Sequence, residues 1–156
     1  DLLVTTGGLS QGDTVRDVVT AMGDVRFDNV AISPGRRWGV GHVNDGATPI
    51  FCLPGDPLAV QVAYETFVRP ALLSMAGYTE LYRPSVRAAT TSGWDSPGGE
   101  REFVPVVLQG TPTGGYTCEP QTASLVGLAE ANALAVVPED VTAVGQGDPL
   151  DCLILG

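Results

Sequence analysis

The sequence predicts an α/β segment over residues 1–77, followed by a small β domain of barrel or sandwich type over 78–156. Two observations carry this. The first half reads as strand, helix, strand, hairpin and long helix, the order of a mixed α/β layer. Around Tyr78–Pro84 the character changes, and short strand-like runs follow, punctuated by Gly93, Pro97-Gly98-Gly99 and Gly114-Gly115.

Leu2-Leu3-Val4-Thr5 is a short apolar run that ends at Gly7-Gly8, and it reads as a buried strand entering a tight loop. After Gly12, Asp13 and Thr14 are N-cap candidates for a helix over Val15 to Met22, whose apolar positions Val15, Val18, Val19 and Met22 recur at helical spacing; Gly23 ends it. Val25 to Ile32 alternates as a strand does and is broken by Pro34-Gly35. Trp38 to Val43 and Pro49 to Leu53 flank Asn44-Asp45-Gly46, residues that tolerate positive φ, which predicts a hairpin. Pro54-Gly55-Asp56-Pro57 then turns the chain into a helix from Leu58 to Ala76, kinked at Pro70 and stopped by Gly77. In the second half, strands are expected over Ser85–Thr91, Arg101–Gln109, Tyr116–Glu119, Ala133–Val137 and Asp148–Leu155, with one short helix over Ser124–Ala131.

Composition narrows the function classes. With 44% hydrophobic residues the chain has enough apolar material for a buried core, so general disorder is excluded. A net charge of −10 disfavours nucleic-acid binding, because an acidic surface gains nothing from displacing counterions. No run approaches the length of a membrane span and no signal peptide is visible, so the cytoplasm is the expected location. All eight basic residues are arginine, which removes Schiff-base chemistry and a Walker-type phosphate lysine. Cys52, Cys118 and Cys152 are an odd number without Cys-x-x-Cys spacing, so they read as buried, reduced thiols rather than a disulfide framework or zinc site. His42 is the only histidine and has no second imidazole to share a metal; it is read as structural.

Three loops are able to carry chemistry. In Thr5-Thr6-Gly7-Gly8-Leu9-Ser10-Gln11-Gly12-Asp13, adjacent glycines between strand and helix let backbone N–H groups approach an anion, with Thr6 and Ser10 adding hydroxyls. The same residues would also serve as a plain strand–helix connection. In Leu53-Pro54-Gly55-Asp56-Pro57, two prolines stiffen a turn around Asp56, a carboxylate placed either to hold a divalent cation or ribose, or simply to cap the helix. Ser33-Pro34-Gly35-Arg36-Arg37 presents paired guanidiniums, suited to an oxyanion or to plain solvation.

Taken in order, the strings TTGGLSQGD, AISPGRRWGVG, IFCLPGDPLAV and FVRPALLSMAG resemble the molybdopterin-binding domain of the molybdopterin molybdenumtransferases, the MoeA/gephyrin family. There the loops run T-G-G-V-S-x-G-[DE], K-P-G-[KL]-P and L-P-G-N-P-V-S, before a helix ending in V-x-P-x-L. The resemblance covers residues 1 to about 77 well; beyond them it rests on length, Arg101-Glu102-Phe103 and Gln121-Thr122-Ala123-Ser124. It implies a partial three-layer molybdopterin-binding domain whose first βα part and preceding domains lie outside this chain, followed by a small β-barrel-like domain. It further implies insertion of molybdate into adenylylated molybdopterin with release of AMP, assisted by Mg2+, in a cytoplasmic homodimer of the full-length protein.

Carried over residue by residue, the resemblance assigns Thr6, Gly7, Gly8 and Ser10 to the pterin phosphate or adenylate, with Pro54, Gly55 and Pro57 as the rigid second loop and Ser124 as a serine of the β domain. Asp13 and Asp56 become the candidate catalytic and metal-holding carboxylates, and Arg36 and Arg37 the positive charge beside the oxyanion. Several positions depart from the pattern. The family's lysine before Pro-Gly is Ser33 and a second, upstream, is Asn29; the Asn of the proline loop is Asp56, the following serine is Ala59, and an arginine expected after Glu102-Phe103 is Pro105. The acidic residue that follows the family's first loop has no counterpart. These losses leave an alternative open: a non-catalytic binding or scaffold paralogue that keeps the fold. A third possibility, an unrelated nucleotide-binding α/β protein, is disfavoured by the lack of a Walker lysine and of G-x-G-x-x-G.

Overall fold

The structure, a computed structural model, describes residues 1–156 and divides into two compact units. The first comprises Asp1–Val30 and Gly35–Tyr82; the second comprises Ala31–Pro34 and Arg83–Gly156.

In the first unit β1 (Leu3–Thr6), β2 (Gly23–Asn29), β4 (Arg37–Val43) and β5 (Thr48–Leu53) form a sheet in the order β1-β5-β4-β2. β1 runs parallel to β5, whereas β4 is antiparallel to both β5 and β2. Strand alternation sends Ile50 and Cys52 of β5 to one face, where they meet Leu9, Val19, Val25 and Val43 under helix α1 (Thr14–Met22). Phe51 and Leu53 point the other way, against Ala63, Val68, Phe67 and Trp38 beneath helices α2 (Pro57–Ala63) and α3 (Arg69–Met75). The result is helix, sheet, helix, the three layers the resemblance implies. The β4–β5 hairpin closes as expected, with Asn44, Asp45 and Gly46 at φ 54°, 55° and 84°.

Two expectations are corrected here. The first strand is not buried: Leu3, Val4 and Thr6 are exposed, because β1 is an outer strand hydrogen-bonded on one side only, to β5. The long helix does not simply kink at Pro70. Between α2 and α3 lies a π-helical turn, Tyr64–Val68, in which the Arg69 amide reaches back to the Tyr64 carbonyl. Pro70 has no N–H to offer the preceding turn, and Thr66 Oγ1 donates to the Val62 carbonyl at 2.7 Å; the widened turn absorbs the mismatch just ahead of the proline.

The second unit contains β3 (Ile32–Ser33), β6 (Ser85–Thr90), β7 (Trp94–Asp95), β8 (Arg101–Gly110), β9 (Tyr116–Pro120), α4 (Leu125–Glu130), β10 (Ala133–Val137), β11 (Ala143–Val144) and β12 (Pro149–Ile154). The strand order β10-β12-β6-β9-β8, with β8 returning to β10, closes five strands into a barrel. β3 adds a parallel flank to β8, and β7 pairs with β11; neither these short pairings nor β3 are legible in the sequence. The barrel interior is filled by small and medium residues, Ala88, Val106, Cys118, Ala133, Ala135, Val137 and Cys152 among them, as a narrow five-stranded cylinder requires.

All three cysteines are free and buried. Burial pushes their thiols up, that of Cys152 to about 12, with the neighbouring Cys118 adding to the rise. A thiol held protonated does not attack. Ellman's reagent at pH 8 is therefore expected to label none of the native cysteines and all three after guanidinium unfolding; labelling of any one in the native chain would contradict this burial. For Cys152 the raised pKa also fixes a sign. Its contribution to stability is complete below the ordinary value of 9.0 and is lost as pH climbs from there toward about 12.

Candidate functional site

Because β1 and β5 are parallel neighbours in register, with Thr6 beside Leu53, the loops that leave them emerge at the same rim of the sheet. This is where open α/β sheets bind ligands. The two loops touch. The Gly7 amide donates to the carbonyls of Leu53 at 3.0 Å and Pro54 at 3.3 Å, and a Cβ on Gly55 would stand 3.4 Å from the Gly7 Cα. The glycine loop then folds over the start of α1: a Cβ on Gly8, whose φ is 69°, would lie 2.6 Å from that of Val15. Glycine is therefore required at position 8 by both conformation and space.

Asp13 occupies the N-cap position of α1 but does not cap it with its side chain. Instead Oδ2 accepts from the Ser10 amide at 2.8 Å, while the Asp13 amide donates to the Ser10 carbonyl at 3.1 Å, which closes the Ser10–Asp13 turn on itself. Asp56 is a true cap: Oδ1 accepts from the Ala59 amide at 3.0 Å, with Pro57 in the first helical position. The third loop approaches the same helix start, since a Cβ on Gly35 (φ 100°) would meet Ala59 at 3.3 Å. Thr6 and Ser10 are exposed on the rim, and Gly7, Gly8 and Pro54 are half-buried. Ser124 belongs to the second unit, where its hydroxyl caps α4 by accepting from the Gly127 amide at 3.2 Å and pairs with that of Thr122 at 2.8 Å.

The two arginines of the third loop part company. Arg37 lines a polar cleft of about 290 Å³ together with Gln11, Arg16, Phe27, Asp28 and Asn29; Arg36, one residue earlier, does not. The basic companion of Arg37 is Arg16 on α1, whose guanidinium carbon sits 4.7 Å from the centre of the Phe27 ring and whose Nη1 reaches toward the Leu9 carbonyl at 3.4 Å. Reading the loops alone missed Arg16, although it stands three residues past Asp13, in the first turn of the helix that the glycine loop opens.

The carboxylates do not form a closed cation cage within this chain. No three His, Cys, Asp or Glu side chains gather to hold a metal, and Asp13 and Asp56 each commit an oxygen to a backbone amide. Each carboxylate keeps its second oxygen, and Mg2+ is ordinarily held by one or two carboxylates with waters and substrate phosphates completing six ligands.

Comparison with known proteins gives this architecture its context. Residues 1–74 match the family described as "Probable molybdopterin binding domain", and residues 87–155 match "MoeA C-terminal region (domain IV)". The chain belongs to the MoeA family. Molybdopterin molybdenumtransferase 2 of Mycobacterium tuberculosis is 39% identical over 160 residues, covering 96% of this chain and 39% of that protein. Molybdopterin molybdenumtransferase of Bacillus subtilis is 30% identical, covering 99% of this chain and 37% of its own length. The structure of the molybdopterin biosynthesis moea protein from Pyrococcus horikosii superposes with a TM-score of 0.80 at 24% identity, over 99% of this chain and 37% of that one, and so shares the fold. The chain thus spans about two fifths of the relatives it matches. Within the MoeA family frame, the loops that touch at Gly7 and Gly55 lie in the molybdopterin-binding domain, and the five-stranded barrel is the C-terminal region. No helix of the chain is long and apolar enough to cross a membrane.

Proposed function

We propose that this chain forms part of a molybdopterin molybdenumtransferase, which inserts molybdate into adenylylated molybdopterin and releases AMP. The observation that carries the reading is the contact between two stiff loops, Gly7 against Gly55, at the rim shared by parallel strands β1 and β5. Thr6, Gly8, Ser10, Pro54 and Pro57 flank that contact and would grip the phosphorylated end of the pterin. Gly7 takes part by letting the loops close, since its own amide is already spent on Leu53 and Pro54. Catalysis on this view is positioning plus electrostatic stabilisation of the departing phosphate. No cysteine nucleophile takes part, because all three thiols are buried and held protonated. Asp13 and Asp56 each keep one carboxylate oxygen that would ligate Mg2+ beside the phosphate, with waters and phosphate oxygens completing its shell. The full-length protein is read as a cytoplasmic homodimer acting on small molecules; the net charge of −10 on this chain disfavours nucleic acid as a partner of the part it forms.

A second reading, a scaffold paralogue that keeps the fold without the chemistry, is favoured by one observation: Asn29 and Ser33 stand where the family pattern has lysines. Calorimetric titration with adenylylated molybdopterin separates the two. Saturable heat is expected for the proposed enzyme, weakened at least about 10-fold in Gly55→Val, whose side chain would press on the Gly7 backbone. Absence of heat in the unaltered chain favours the scaffold.

A further inference from the structure

We propose that Arg16 and Arg37 form a two-armed seat for a tetrahedral oxyanion dianion, with the Phe27 ring holding the Arg16 arm in place. The seat deepens the function proposed above and rests on it for the choice of ligand, molybdate or a phosphate monoester. The cleft itself is defined by side chains of this chain alone.

Five observations support it. Arg16 and Arg37 line one cleft, yet they come from different elements, α1 and the start of β4. Neither makes an ion pair, although the chain carries 18 acidic residues against 8 basic ones. Arginines left unneutralised on so acidic a protein are available to an anion from outside. Arg16 is half-buried and is oriented by the Phe27 ring at 4.7 Å and by the Leu9 carbonyl, so less freedom is lost when it binds. Room for that ring is provided by Gly39, where a Cβ would stand 2.7 Å from the Phe27 ring edge. Asn29 and Gln11 add neutral hydrogen-bonding groups to the wall.

Asp28 lies on the same wall and opposes an anion. Two guanidiniums against one carboxylate leave the cleft at +1, and the geometry keeps Asp28 out of ion-pairing reach of both arginines. The seat also explains how a site with Asn29 and Ser33 in place of lysines retains positive charge: it enters from the helix after the glycine loop and from the strand after the third loop.

The test is calorimetric titration of the 156-residue chain with sodium molybdate and, separately, with AMP. Arg16→Gln and Arg37→Gln are each expected to weaken one titrant about 10-fold or more, as loss of a charge-assisted pair does, and Asp28→Asn to tighten the same titrant several-fold. Whichever titrant responds identifies the occupant. Phe27→Leu, which keeps both charges, is expected to weaken binding in the parent but not in Arg16→Gln, a coupling that general loosening would not produce. Circular dichroism confirms that each variant remains folded. If the Arg16→Gln/Arg37→Gln double variant binds both titrants as the parent does, or if the parent binds neither, the seat is overturned. Binding of adenylylated molybdopterin in that case leaves the proposed function standing; loss of adenylylated molybdopterin binding with arginine-dependent molybdate binding does the reverse.

Discussion

Gly41→Ala is expected to destabilise the first unit by about 3 kcal/mol or more, the upper range for forcing an atom into a filled space. Gly41 of β4 lies opposite Val25 of β2, and an added Cβ would overlap the carbonyl oxygen of Asp24 and stand 2.6 Å from the Val25 Cα. Both obstacles are backbone, so no rotamer change relieves them and the strands must separate. At about 4 °C per kcal/mol for a unit of this size, the midpoint should fall by roughly 12 °C or more. Trp38, packed against Phe51 and Phe67 in this unit, reports the transition by fluorescence when Trp94 is replaced by phenylalanine. Gly46→Ala is the control. It has open space around its Cβ and bears only the strain of φ 84°, worth about 1–2 kcal/mol. Equal losses in the two variants would mean that β2 and β4 do not approach this closely.

Leu134→Ala is the corresponding prediction for the barrel. Leu134 is fully buried on β10, a strand hydrogen-bonded to β8 and β12 at once, so the neighbouring backbone is held on both sides and has little scope to collapse into the gap. A loss of about 2–5 kcal/mol is expected, read from Trp94, which packs against the barrel core, in a Trp38→Phe background. Leu125→Ala, at a residue 71% exposed, should change stability by less than about 0.5 kcal/mol. Leu134 alternates with the interior residues Ala133 and Ala135, so it tests the covered outer face of β10, and a Leu134 variant that behaves like the Leu125 variant would show that this face is not buried.

How much of this was legible beforehand depended on whether the information was local. The hairpin at Asn44–Gly46 and the strand Ala133–Val137 follow from turn chemistry and from an apolar run, and the structure places them where the residues indicate. The exposure of β1 was not legible, because an apolar run reads alike in a central and an outer strand; only its pairing to β5 alone tells them apart. Nor was the π-helical turn, which depends on how Thr66 and Pro70 divide the helix ladder between them. At the candidate site, the stiff turns announced themselves through adjacent glycines and flanking prolines. The partner of Arg37 did not: Arg16 lies 21 positions earlier, and only the packing of Phe27 opposite Gly39 brings both arginines to one cleft.

The short strand Ile32–Ser33 has a consequence for dissecting the molecule. It is encoded within the first half yet hydrogen-bonds to β8, so the polypeptide passes from one unit to the other after Val30, after Pro34 and after Tyr82. Scission at Tyr82 therefore does not liberate two intact pieces. The upstream fragment would carry Ile32, only 7% exposed in the whole, as an apolar stub without its sheet, and the downstream fragment would begin with one flank of β8 bare and ready to recruit a foreign strand. Expression of either piece alone should yield sticky material, and a split protein that reassembles is better broken at the Thr111–Gly115 turn.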